Sequence, residues 1–321
     1  MNARVNYLAP LAAFLAFVSA AGLRADQGGT AFWLSGQYAS LAAVPASPGW
    51  LLSSEFYFYG GKADAAKTFS IGNSIVLGTK SRSATFTLTP SYTPATPVLG
   101  GSLTFEFSFG GGYDNISSTG SLTNAGRTRS ASISGSIWGA SDLSPLVSLA
   151  WTRGVHNWMI YATGNLPVGN YSSQRLANTG LGHGAVDAGA GYTYFDTKTG
   201  LEFSAVAGLT FNVENHSTQY KNGIDSHLDY SLSKSVAANA QIGLAGYLYC
   251  QLTGDSGSGA KLGPFESKVA AIGPQVNWNF NMGGQSWSAS VRGYYEFWAV
   301  NRTHGAAGFA TLNLPLGAPK K

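Results

Sequence analysis

The chain has 321 residues, of which 44% are hydrophobic and only 11% charged, against roughly a quarter charged in an ordinary soluble domain. Forty-two glycines, 16 tyrosines and 17 phenylalanines supply turn and strand formers, pointing to an all-β fold and away from disorder. The net charge of +4 and the single cysteine, Cys250, exclude a strongly basic nucleic-acid binder and a scaffold held by internal disulfides.

Residues 1–25 read as an export signal. Arg4 supplies the positive start, 8–18 the apolar stretch, and Ser19-Ala20-Ala21 or Leu23-Arg24-Ala25 the small-residue exit. Without Arg4 and Arg24 the balance is +2. The apolar stretch is shorter than the roughly 20 residues a membrane helix needs, and no later segment offers 18 consecutive apolar residues. A segment at 26–48 follows, long enough to enter a barrel, and 49–321 carries a period of two.

That period repeats along the chain. In 83–93, Ala84, Phe86, Leu88 and Tyr92 alternate with Ser83, Thr85, Thr87, Thr89, Ser91 and Thr93. In 101–109, Leu103, Phe105, Phe107 and Phe109 alternate with Ser102, Thr104, Glu106 and Ser108. The same holds in 201–211, in 224–232 and in 286–299, where Trp287, Ala289, Val291, Tyr295 and Phe297 face Ser288, Ser290, Arg292, Tyr294 and Glu296. Successive strand side chains point to opposite faces, so each segment separates two solvents. The polar face holds mostly Ser, Thr, Asn, Gln and Gly where a secreted sandwich exposes Lys and Glu. Strands of about 10 residues joined by alternating short turns and long loops match a transmembrane antiparallel up-and-down β-barrel of the bacterial outer membrane.

Short turns at 94–97, 154–157, 196–200, 233–235 and 282–285 should be periplasmic, and long connections at 61–80, 112–127, 167–182, 213–221, 254–264 and 301–305 external. Twelve strands result, at 49–60, 83–93, 99–111, 128–153, 156–166, 183–195, 200–212, 222–233, 236–252, 266–281, 286–299 and 306–316. The segment 128–153 is too long for one crossing, so 144–153 is taken as its membrane part and 128–138 as an extension or loop hairpin.

Glu55, Glu106, Asp187, Glu202, Asp225, His227, Asp229, Lys268, Arg292 and Glu296 fall on the predicted lumenal face. Asp225, His227 and Asp229 share it at two-residue spacing, but alternate residues lie about 7 Å apart, and a polar wall is the reading preferred over a metal site. No cofactor is implied. Gly254-Asp255-Ser256-Gly257 reproduces the tetrapeptide around a trypsin-like nucleophile without any other part of that pattern. A barrel hydrolase needs converging Ser and His, whereas His156, His183, His216 and His304 lie in or beside loops and turns; it stays as the enzymatic alternative, beside a structural barrel without transport.

Several blocks in order resemble the family of outer-membrane transporters associated with the meta-pathway of phenol degradation. They are Phe32-Trp33-Leu34-Ser35-Gly36-Gln37-Tyr38, 40–49, Leu166-Pro167-Val168-Gly169 with Arg175-Leu176-Ala177-Asn178, 191–200, 220–225, 251–259, Ile272-Gly273-Pro274-Gln275 and 296–302. The resemblance implies a channel for small hydrophobic or aromatic compounds, among outer-membrane lipid, inserted by the barrel-assembly machinery and without nucleic acid. Phe32, Trp33 and Tyr38 of the N-terminal segment, with Tyr57, Tyr59, Tyr247, Tyr249, Tyr294 and Trp298 on predicted inward parity, would supply aromatic surfaces along the solute path, and Glu106, Asp225, His227, Asp229, Arg292 and Glu296 its polar wall.

Overall fold

The structure, a computed structural model, is described for residues 31–63, 68–71, 74–124, 127–264 and 266–316; the export signal read at 1–25 lies outside the described residues. The described strands are β1 (Gly49–Lys62), β2 (Thr68–Ile71), β3 (Ser74–Leu77), β4 (Thr79–Thr93), β5 (Ser102–Asn124), β6 (Arg127–Ala140), β7 (Ser144–Arg153), β8 (His156–Asn165), β9 (Ala185–Asp196), β10 (Leu201–Asn212), β11 (Asp225–Ala237), β12 (Ala240–Gln251), β13 (Lys268–Met282), β14 (Gln285–Val300) and β15 (His304–Leu316).

Every ladder is antiparallel. Sequential strands pair from β7 to β15, β15 pairs with β1, β1 with β4, β4 with β5, and the lower part of β5 with β7, which closes a barrel of twelve strands. Closure leaves no unpaired edge strand in the wall, the condition for crossing a hydrocarbon layer with strands. The thirteenth strand of the sheet, β6, pairs only with the upper part of β5, from Gly111↔Ala140 to Asn124↔Arg127. The long segment 128–153 is thereby divided as its length demanded: β6 belongs to a hairpin beyond the wall, and β7 crosses.

The two faces are inverted relative to a soluble barrel. Outside, Phe58 and Leu244 are about half exposed, 54% and 53%; inside, Glu202, Thr210 and Ser231 are all at 0%. A Phe56–Phe86 pair, the first exposed and the second partly so, with ring centroids 4.6 Å apart, continues the outer apolar belt across β1 and β4.

Three sequence assignments are corrected. The turn placed at 233–235 lies between β11 and β12, after Ala237; Ser233-Lys234-Ser235 reads as a polar turn, yet Ser233 is an inward wall residue bonded to Ser40 and Gln275. Trp298 faces outward, 48% exposed, because an irregularity in the β13–β14 ladder between Ala270 and Ala271 shifts the parity of β14 and leaves Phe297 and Trp298 both outside. Lys268 is partly exposed beside Glu266 at 3.8 Å, opposite Cys250 on the outer parity. The apolar run Val269-Ala270-Ala271 gives no alternation from which its side could be read. Two expected loops also contain strands, the β2–β3 hairpin within 61–80 and the β5–β6 hairpin around 112–127.

Candidate functional site

Residues 31–48 precede the wall and pack against its inner face. Trp33 and Ala43 join Ala150, Met159, Tyr161 and Val206 in one buried cluster, with Tyr38 and Ala42 beside it. Ala31, Leu34 and Ala39 lie against a second, formed by Ala245, Tyr247, Tyr249, Val269, Ala271, Tyr294, Ala307 and Phe309. The segment thus buries apolar side chains inside a lumen whose remaining wall is polar.

Charged wall groups hold the segment by its backbone. Asp229 accepts the N–H groups of Gly36 (2.8 Å) and Tyr38 (3.2 Å). Arg292 donates from Nε to the Gly36 carbonyl (3.0 Å) and from Nη2 to that of Gln37 (2.9 Å), while the Tyr294 hydroxyl also donates to Gly36 O (3.0 Å). Arg292 is itself paired with Glu55 at 3.1 Å and lies over the Phe309 ring. Two residues further on, Glu202 accepts the Leu41 N–H (3.0 Å) and the Ser40 hydroxyl (2.9 Å), and Thr193 accepts the Ala43 N–H (3.0 Å). An acid and a base therefore grip the same short stretch of chain, each bond strengthened by the charge.

Gly36 is required there twice over. Its φ is +84°, and a Cβ would stand 2.8 Å from Tyr294 Cε2 and 2.9 Å from Tyr247 Cδ1. Only glycine adopts that backbone without strain and lets the two tyrosines close over it.

Trp33 stacks on His227, ring centroids 3.6 Å apart and planes 13° from parallel. His227 Nε2 lies 3.0 Å from Asp187, and the Tyr161 hydroxyl donates to the same carboxylate at 2.7 Å. Asp225 accepts from Asn212 (2.8 Å), so Asp225, His227 and Asp229, adjacent on one face, each engage different partners, and no metal-binding group of three or more such residues occurs among the described residues. Glu296 accepts the hydroxyls of Tyr59 (3.1 Å) and Tyr247 (2.9 Å), and Arg302 lies over the Tyr249 ring.

The segment fills one side of the lumen. On the other side, against β15, β1, β4, β5 and β7, a cavity of about 620 Å³ remains. Its lining extends from Thr89, Asn277 and Asn313 at the short-turn end to Asp142, Thr179 and Leu181 at the long-loop end. Phe32, Trp33, Leu34 and Tyr38 form an aromatic and apolar side; Ser53, Ser83, Thr85, Thr87, Thr89 and Ser108 form a hydroxyl-rich one. Of the residues singled out in the sequence, Phe32, Trp33, Tyr38, Glu55, Tyr57, Glu106 and Arg292 border this space. Tyr59, Asp225, His227, Asp229, Tyr247, Tyr249, Tyr294 and Glu296 do not; they pack the filled side and the outer rim. Sequence reasoning missed Tyr161, Thr193, Gln275 and Phe309, all buried inside. Tyr161 and Met159 share the inward parity of β8 with Asn157, a signal obscured because apolar residues occupy both faces of that strand.

An outer-membrane channel from Pseudomonas putida F1 superposes with a TM-score of 0.64 at 13% identity, over 84% of this chain and 96% of that one. The translocator domain of the autotransporter NalP from Neisseria meningitidis gives 0.47 at 11% identity, covering 85% and 91%, and a Pseudomonas aeruginosa FadL homologue 0.41 at 8%, covering 91% and 99%. No curated protein matches the sequence. The first of these likenesses establishes an outer-membrane β-barrel fold. Residues 66–312 match the model of the family described as "Putative MetA-pathway of phenol degradation", well over half of the chain, and the protein belongs to that family.

Proposed function

We propose that the protein is an outer-membrane channel that passes small hydrophobic or aromatic compounds along the cavity beside residues 31–48. The observation that carries this reading is the two-sided lining. Phe32, Trp33 and Tyr38 offer ring faces, and the serines and threonines of β1, β4 and β5 offer hydroxyls across the gap. A planar solute with one polar substituent meets an apolar surface and hydrogen-bond partners at once, the combination common to small-molecule sites. The Pseudomonas putida protein that shares the fold is an outer-membrane channel, and the family is described by a pathway of phenol degradation; both agree with this reading.

Residues 31–48 act in this reading as a plug that narrows the lumen to that cavity, preventing free leakage of polar solutes. Outer-membrane lipid surrounds the belt, and the barrel-assembly machinery inserts the chain. A channel rather than a hydrolase is further supported by two of the histidines: His227 is committed to Asp187 and Tyr161, and His156 to the Tyr192 hydroxyl, and among the described residues no serine hydroxyl is bonded to either.

The test is solute permeation into proteoliposomes, with a panel of aromatic compounds and polar solutes of equal size, for the full chain and for a chain lacking residues 31–48. Aromatic passage by the full chain and added polar leakage in the shortened one are expected. Equal permeation of both classes by the full chain, or lipid hydrolysis abolished by a single Ser or His replacement, would refute the proposal.

A further inference from the structure

At the long-loop end of the outer wall, Lys62 of β1 and Lys80 of β4 are directly opposed, and Arg82 is opposed to Gly60 in the same ladder. All three side chains are exposed on the outward parity that lower down carries Phe56, Phe58 and Phe86. None of them forms an ion pair among the described residues. Like charges placed directly across a ladder destabilise it unless something neutralises them, and among the described residues the short-turn end shows no comparable pair.

Height and shape both define what fits. For strands tilted by about 40°, Lys62 stands roughly 10 Å beyond Phe58 along the membrane normal, and Lys80 and Arg82 on the neighbouring strand lie within roughly 3 Å of the levels of Lys62 and Gly60, which they oppose. That is the level of the headgroups just outside the hydrocarbon. Between the cations the surface is recessed: a Cβ on Gly60 would meet nothing within 4 Å, and the neighbouring outward positions are Ala84 on β4 and Ala306 on β15.

We infer that Lys62, Lys80 and Arg82 form a binding site for the phosphate of an outer-leaflet glycolipid, the phosphorylated glucosamine headgroup of lipopolysaccharide. Its sugar sits over Gly60 and its acyl chains run down the Phe56–Phe86 face. Arginine and lysine are the side chains suited to phosphate, the first by its forked donors and the second as a point charge. The apolar belt below commits the site to a lipid and distinguishes it from a place for free anions.

The experiment uses the full-length protein in mild detergent, with binding of bisphosphorylated lipid A, dephosphorylated lipid A and inorganic phosphate measured separately. One variant is Lys62→Gln/Lys80→Gln/Arg82→Gln. A control, Arg153→Gln/Lys198→Gln/Lys234→Gln, removes three exposed cations near the other end, and Gly60→Trp fills the recess while keeping every charge. Each cation near an anionic membrane surface contributes about five-fold in affinity, so the first variant is expected to lose about a hundred-fold in lipid A binding while the control binds as the parent does. Gly60→Trp is expected to weaken binding, dephosphorylated lipid A to bind as poorly as it does to the triple variant, and millimolar inorganic phosphate to leave the lipid in place. Full binding by the triple variant, or equal binding of dephosphorylated lipid A, overturns the inference. So does displacement by inorganic phosphate, which marks a free-anion site, or an unaffected Gly60→Trp, which leaves only diffuse attraction.

Discussion

Asp229→Ala isolates the clamp on the N-terminal segment. The carboxylate accepts two backbone N–H groups, from Gly36 at 2.8 Å and Tyr38 at 3.2 Å, and it is 1% exposed. Hydrogen bonds to charged groups contribute about 1.5 to 3 kcal/mol each, so the substitution should weaken docking of residues 31–48 by about 3 to 6 kcal/mol. Asp229→Asn keeps one acceptor oxygen but loses the charge and turns an amide donor toward an N–H, and about half that loss is expected. At ~1.4 kcal/mol per factor of ten, the undocked population rises at least a hundred-fold for alanine and about ten-fold or more for asparagine. Single-channel recordings in planar bilayers read this as the frequency of large conductance steps, whose size is calibrated by the chain lacking residues 31–48. Heat-dependent gel mobility checks that the barrel stays closed. An unchanged step frequency in Asp229→Ala, when the shortened chain shows the large steps, would mean that these bonds carry none of the docking energy.

Gly36→Ala, with φ at +84° and a Cβ 2.8 Å from Tyr294 Cε2, should also dislodge the segment, by about 1 to 2 kcal/mol from backbone strain alone; protease cleavage within 31–48 should appear while the barrel remains resistant. Val291 is half exposed on the outer face of β14, whereas its neighbour Ser290 borders the cavity. Val291→Arg should therefore cost about 2 to 4 kcal/mol near the membrane midplane and Ser290→Arg less, measured by reversible unfolding in lipid; the reverse order would invert the strand. Glu106 borders the cavity with Tyr38, and the basic residue among the cavity's lining, Arg292, is bound to Glu55 and the segment. Glu106→Gln should therefore raise benzoate permeation relative to phenol by about three- to ten-fold, and an unchanged ratio would remove Glu106 from the path.

Much of this architecture was legible because a wall between lipid and water imposes a strict two-residue period. Phe105, Phe107 and Phe109 on β5 could only face lipid once Thr104, Glu106 and Ser108 faced inward. The period fails where both faces carry the same chemistry. On β8, Met159 and Tyr161 are apolar on the inward side because the N-terminal segment, and not water, meets them. On β14, the parity of Trp298 depends on a ladder irregularity that no local pattern announces. The sharing of the lumen was illegible for a related reason. Inward parity places Tyr57 and Tyr247 on the same surface, but which borders open space and which packs under Gly36 depends on where residues 31–48 settle.

That division of the lumen accounts for the distribution of the few charges. An unpaired charge is costly in a narrow interior, and a pair of charges satisfied only by each other gains little over an apolar pair. Here Asp229 is satisfied by backbone groups of the segment, while Arg292 and Glu202 bond backbone groups of the segment as well as side chains, so that the N–H groups of Gly36, Tyr38 and Leu41 and the carbonyl of Gln37 find their partners on the wall. Wall and segment are thus each other's hydrogen-bond complement on the filled side. On the open side the same wall turns to serine and threonine, which water satisfies as readily as a solute does. The serines and threonines of β4 and the acids and bases of β10, β11 and β14 are therefore two answers to one constraint. On the filled side the charges of Asp229, Arg292 and Glu202 hold peptide groups, and on the open side, Glu55 and Glu106 apart, the wall offers hydroxyls.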